Sequence, residues 1–176
     1  PLPGADEAQA QAQASAVATR VRALLGQVGD EPALEVDADL RPEGRNGPLV
    51  RSLASYAEYY GRWSSPCESQ ALLRGRAVAG DLELGARFEA LVDPLRFPVG
   101  GADAATCKEV RRLKARMEAE RLPRGVDPAR HLKLGRGGLS DIEWTAQLLQ
   151  LQHGHEVPAL RTTSTLPALA GAARAE

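Results

Sequence analysis

Apolar residues first fall at helical spacing: Val17, Val21, Leu24, Leu25 and Val28 recur along an alanine- and glutamine-rich stretch. That spacing predicts a helix from Ala5 to about Val28, fraying at Gly26 and Gly29, with Pro32 closing the loop behind it. The period then drops to two. Ala33, Leu34, Val36, Ala38 and Leu40 alternate with Glu35, Asp37, Asp39 and Arg41, which predicts a strand with one polar face, ended by Pro42. A turn-rich EGRNGP follows. Ser52 reads as the N-cap of a helix running to about Arg62, and Pro66 suits the first turn of another. Beyond residue 80 the pattern is helical throughout. Asp81 caps a helix to about Leu91. Asp103 caps a highly charged one with a seam of Val110, Leu113 and Met117, and the GRGG stretch leads into a last long helix. The expected class is α+β: a sheet-containing unit over residues 1–80 and an all-helical domain over 81–176.

Composition narrows the partners. The chain has 176 residues, 43% of them hydrophobic and 26% charged, with a formal net charge of -1. No basic excess points to nucleic acid, no apolar run is long enough to span a membrane, and no secretory leader is visible. Cys67 and Cys107 stand far apart without a CxxC pattern, which suits a reducing cytoplasm and gives neither a disulfide framework nor a zinc site. The opening PLPGADEAQ lacks an initiator Met, and AGAARAE closes the chain within what reads as a helix. Both ends are those expected of a piece of a longer protein.

Two stretches carry candidate chemistry. Asp37 and Asp39 share the polar face of the predicted strand. They either ligate Mg²⁺ for phosphoryl or nucleotidyl transfer, or pair with Arg41 and Arg45 on a solvated surface. Arg41, Arg45 and Arg51, interleaved with Gly44 and Gly47, suit a polyphosphate, although no GxxxxGK[ST] loop is present. In LKLGRGGLSDIEW, Gly135, Gly137 and Gly138 predict a tight turn. Ser140 and Glu143 fit a capping box, and Asp141 favours the first helical turn. Lys133 and Arg136 have no such structural reason and are candidate phosphate contacts. His153 and His155 lack a third ligand in reach and are expected to serve the helix end. His131 is a lone loop histidine. Trp63 and Trp144 are expected to anchor packing.

Three blocks in order, EVDADLRPEGRNGPLVRSL, ESQALLRGRAVAGD and LKLGRGGLSDIEWTAQLLQLQHG, resemble signatures of the glutamine synthetase adenylyltransferases, and together they span most of the chain. The third block is closer to the C-terminal, adenylylating half of these bifunctional proteins than to the N-terminal, removing half. The resemblance implies a partial polymerase-β-like nucleotidyltransferase sheet followed by helices. It implies AMP transfer from ATP to a tyrosine of glutamine synthetase in the cytoplasm, AMP removal by phosphorolysis in the bifunctional parent, Mg²⁺ as cofactor, and the PII signalling protein as a regulatory partner. Carried over by position, Asp37 is one of three metal carboxylates and Asp39 a neighbour. Arg41 matches the arginine of the family's Leu-Arg-Pro and faces phosphate. Glu68, Gln70, Arg74 and Arg76 support the site, and Gly137, Gly138, Asp141 and Glu143 shape the turn. Cys67 stands where the family usually has Trp. The Gly-Ser…Asp-x-Asp motif is missing and would lie just before PLPGADEAQ. With one carboxylate of three, the chain by itself is expected to be inactive. A rival expectation is a non-catalytic helical module relaying the state of PII between catalytic halves.

Overall fold

The computed structural model describes residues 7–30 and 32–175, and among them every regular element is helical. Seven α-helices run in order: α1 (Glu7–Leu25), α2 (Leu53–Trp63), α3 (Pro66–Leu72), α4 (Leu82–Arg96), α5 (Ala104–Arg121), α6 (Leu139–His153) and α7 (Thr165–Ala172). They divide into two compact units, one ending at Trp63 and one beginning at Ser64. Residues 64–80 pack with the C-terminal helices, because α3 lies against α4, α5 and α6.

The expected strand over 33–41 is absent. Residues 32–38 carry no regular structure, and turns begin at Asp39. Alternation favours an extended chain, but a strand exists only when a neighbour accepts its backbone bonds. Among the described residues, this stretch meets α1 by isolated bonds and no ladder: the Leu34 amide donates to the Leu25 carbonyl at 2.8 Å, and the Arg22 guanidinium reaches the Val36 carbonyl at 3.5 Å. Leu34 and Leu40 stay exposed. The α+β class is therefore corrected to an all-helical one, and the partial nucleotidyltransferase sheet is lost with it.

The first unit is held by its loop and α2. Of the predicted Ala5–Val28 helix, Glu7–Leu25 is observed, and Ala5 and Asp6 lie outside the described residues. Its valines and leucines remain exposed. Ser52 caps α2 by accepting from the Ser55 amide at 3.2 Å. Tyr60 is buried, stacked on Tyr56 at 5.9 Å and met edge-on by Tyr59 at 5.4 Å. The Arg51 guanidinium lies over the Tyr59 ring at 5.5 Å. Trp63, expected as an anchor, is the last residue of α2 and is 70% exposed.

In the second unit α6 is apolar on two faces. Leu151, with Trp144 and Leu148, joins Leu73 and Val110 in one cluster, to which Phe97 and Ala102 add. Ala146 packs with Leu160 and Ala168 in another, closed by Val157, Leu169 and Ala172. A helix apolar on both sides is one buried between layers. The caps agree with the sequence: Asp81 accepts from the Leu84 amide and Asp103 from the Thr106 amide. A full capping box forms at Ser65 and Glu68. Helix α4 continues past Leu91 and through Pro94 because buried Arg96 anchors its end, donating to Asp93 and to the carbonyls of Leu72 and Gly75. Gly154 lets Phe97 approach; a Cβ there would stand 2.4 Å from the ring.

Truncating Leu151 to Ala removes the side chain at the centre of the larger cluster. The expected loss is about 2–5 kcal/mol of unfolding free energy, read from the urea midpoint followed by helical circular dichroism.

Candidate functional site

The loop 37–47 brings Asp37, Asp39, Arg41 and Arg45 together. Arg41 organises it. Its Nε donates to the Gly47 carbonyl at 3.0 Å, one terminal nitrogen to Ala38 at 2.7 Å and the other to Arg45 at 3.1 Å. Glu43 and Gly44 take positive φ to make the turn, and a Cβ on Gly47 would stand 2.0 Å from the Pro42 carbonyl. Asp39 is paired with the Arg45 guanidinium at 2.6 Å and stands 3.9 Å from that of Arg41. The carboxylate accordingly holds the Arg45 pKa above its ordinary value. Asp37 is exposed, and one of its oxygens accepts the Asp39 amide at 2.7 Å in an Asx turn. Of the two readings open from the sequence, pairing with arginine describes Asp39. Arg51 ties this loop to α2, donating to Glu43 and to the Ser55 hydroxyl.

Magnesium, implied by the resemblance, does not fit these residues alone. Among the described residues no three His, Cys, Asp or Glu side chains converge. Asp37 is a single carboxylate, while Asp39 is committed to its arginines. A hard cation requires several oxygen ligands at fixed separation.

In the second unit, the supporting residues divide. Gln70 donates to the Gln147 side-chain carbonyl on α6 at 2.7 Å. Arg74 reaches the Thr163 carbonyl and the Thr165 hydroxyl, tying the turn after α3 to the start of α7. Glu68 closes the capping box. Arg76 is exposed.

The turn before α6 is densely bonded. The Gly135 amide donates to His131 at 2.7 Å, and the Gly138 amide to Gly135 at 2.9 Å. The Lys133 carbonyl accepts both the amide and the hydroxyl of Ser140, at 3.0 and 2.6 Å. His131 accepts the Leu134 amide through Nδ1 at 2.9 Å, so its lone place in the loop has a structural use. The expected Ser140–Glu143 capping box is not formed. Gly138 is the N-cap, Ser140 is buried and points back at Lys133, and Glu143 is exposed. Gly137 takes φ +74°, whereas Gly138 is extended and glycine for another reason: a Cβ there would stand 2.7 Å from the Leu132 carbonyl and 2.8 Å from that of Gly135. Lys133 and Arg136 are left exposed on this turn.

One residue of this region was hidden in the sequence. Lys114 on α5, in a stretch that reads as a solvated charged face, extends its ammonium to Glu118 on its own helix and to Asp141 on α6. The other oxygen of Asp141 accepts the Gly137 amide at 2.6 Å. Burial opposes the Lys114 charge, yet the two carboxylates outweigh it and raise its pKa. The Lys114 hydrogen bond, followed by the Gly137 amide, lowers that of Asp141. Helical spacing exposes the Lys114–Glu118 pair, but nothing local signals a partner 27 residues away.

Comparison with known proteins assigns this helical chain to a class. The family model described as "Glutamate-ammonia ligase adenylyltransferase" matches residues 2–91, and the chain belongs to that family. A second model, "GlnD PII-uridylyltransferase", matches residues 108–174, which include the turn and α6. Among individual relatives, the chain is similar to the bifunctional glutamine synthetase adenylyltransferase/adenylyl-removing enzymes of Mycobacterium tuberculosis, 62% identical over 96% of this chain, and Streptomyces avermitilis, 61% identical over 99%. The corresponding protein of Mycolicibacterium smegmatis is 59% identical over all of it. The chain spans 17% to 18% of the length of these relatives.

Because the Asp141 pKa is lowered in the fold, this carboxylate contributes stability above its unfolded pKa and loses it as pH falls through the folded one. The melting temperature of the wild-type chain is expected to drop below about pH 4. Asp141→Asn removes part of that slope, so the two melting curves converge in acid.

Proposed function

We propose that the protein containing this chain moves AMP between ATP and a tyrosine of glutamine synthetase, and that this chain supplies part of its nucleotide-handling region. Family membership supports the chemistry. The observation that carries the local role is the turn before α6, whose internal bonds leave Lys133 and Arg136 exposed. Phosphate oxygens require such cations, and an arginine fork suits them best. In the forward reaction the tyrosyl oxygen attacks the α-phosphorus, the bond to pyrophosphate breaks, and the phenolic proton leaves to solvent or a base. Phosphorolysis reverses the modification: inorganic phosphate attacks the adenylyl phosphorus, releasing ADP and the tyrosine. The turn lies in a segment resembling both an adenylyltransferase and a uridylyltransferase. Contact with the polyphosphate, which both donors share, accounts for that better than recognition of a base. Asp37 is the carboxylate this chain would add to the reacting centre, in a cytoplasmic enzyme answering to PII.

A second reading has one observation in its favour. The described residues are all helix and loop; Gln70 braces α3 against α6, and Arg74 braces the turn after α3 against the start of α7, as a rigid helical relay requires.

The two separate in the full-length enzyme, assayed with labelled ATP and glutamine synthetase. Lys133→Ala and Arg136→Ala are each expected to weaken ATP binding about 10- to 100-fold, the measure of a lost charged hydrogen bond. Asp37→Asn is expected to abolish transfer at an unchanged melting temperature. Normal transfer by all three, with response to PII lost, would establish the relay instead.

A further inference from the structure

We infer that Lys114 is a positioning residue for the Gly-rich turn, acting through Asp141 on the amide of Gly137; the inference rests on the reading of that turn as a phosphate contact. Lys114 belongs to α5, and its two ion-pair partners, Glu118 and Asp141, both lie outside residues 131–138. Its ammonium fixes one oxygen of Asp141, which leaves the other directed at the Gly137 amide, 2.6 Å away. Gly137 sits at φ +74° between Arg136 and Gly138, at the exposed tip of the turn. The bond from its amide to Asp141 is what holds that tip, because the other backbone bonds of the turn run through Gly135, Gly138, Leu139 and Ser140. The arrangement therefore passes the packing of α5 on α6 to the backbone beside Arg136.

Charge gives Lys114 a second effect. Asp141 is bonded to the amide of Gly137, the residue after Arg136, and an unpaired carboxylate there would repel a polyphosphate. The groups facing Lys114 are Glu118 from α5 and Asp141 from α6. Its ammonium offsets the carboxylate that holds the turn, so the turn is shaped by an acid without presenting an unopposed negative charge. A neutral hydrogen-bonding side chain in place of Lys114 would not restore the charge that offsets the two carboxylates.

The test uses the 176-residue chain. Amide hydrogen exchange and titration with inorganic tripolyphosphate are measured for the wild type, Lys114→Met, Lys114→Arg, and Lys133→Ala with Arg136→Ala. Lys114→Met is expected to speed exchange at Gly137 about tenfold while the core amides of Ala146 and Leu151 keep their protection, and to weaken tripolyphosphate several-fold. Lys114→Arg, which keeps charge and reach, is expected to recover both. Unchanged exchange at Gly137 in Lys114→Met overturns the inference, as does acceleration shared equally by the core amides, which would mark a general loss of stability. Tripolyphosphate binding that ignores Lys133 and Arg136 overturns the phosphate reading of the turn, while the exchange data still decide whether Lys114 positions it.

Discussion

Helix α6 must complete two cores at once, and the second unit is arranged around that demand. Leu151 and Leu148 need the side of α3 and α5, while Ala146 needs the side of Leu160 and α7. Small residues serve the tighter face: Ala146 and Ala168 let α6 and α7 approach, and Gly171 avoids a clash with the Ala159 carbonyl, which a Cβ would meet at 2.7 Å. Burying a helix on both sides leaves its polar residues to be satisfied internally. Gln150 is 3% exposed, and its amide donates to the carbonyls of Leu160 and Thr162, at 2.7 and 2.6 Å. Gln147 meets Gln70. These bonds fix the rotation of α6 about its axis, since a turn of one residue would bury each amide without a partner.

That fixed rotation is what gives the preceding turn its shape. Ser140 is buried, so its hydroxyl must find an acceptor, and the Lys133 carbonyl folding back over the helix start is the one it finds. Asp141, one residue on, faces α5 and Lys114. Three glycines then meet three different needs. Gly135 and Gly138 give room to carbonyls, and Gly137 supplies a left-handed bend. The exposure of Lys133 and Arg136 is a consequence of this folding: with the backbone bonds turned inward, the two long side chains are left outside.

How much of this was legible depended on whether the determinant was local. Caps at Ser52, Asp81 and Asp103, and proline in the first turn at Pro66, are read from neighbours a few residues apart, and these features formed as expected. Ser140 and Glu143 satisfied the same local rule and did not form a box, because burial of Ser140 offered its hydroxyl a carbonyl in place of the helix amides. The Lys114–Asp141 pair and the Gln70–Gln147 bond could not be read, since they depend on how helices pack. Alternation over 33–41 misled for a related reason. Period two describes which way side chains point if the chain is extended, but the free energy of a strand lies in its ladder, and no described residue supplies one.

Arg41 shows what a short motif leaves undetermined. An arginine in Leu-Arg-Pro can matter by touching phosphate or by building the loop that carries its neighbours. Its guanidinium has five N–H groups in a rigid fork. Three bonds to the carbonyls of Ala38, Arg45 and Gly47 use donors from all three nitrogens, and the side chain is 18% exposed. Carbonyls placed around a planar fork have no other cation of the right shape, and lysine could meet only part of the set. Withdrawing the guanidinium toward a ligand would strand those carbonyls and open the loop that sets Asp39 against Arg45 and Asp37 in its Asx turn. In this fold the structural use of Arg41 is met before any ligand arrives. A phosphate could engage only the N–H groups left over, with the loop already built around the rest.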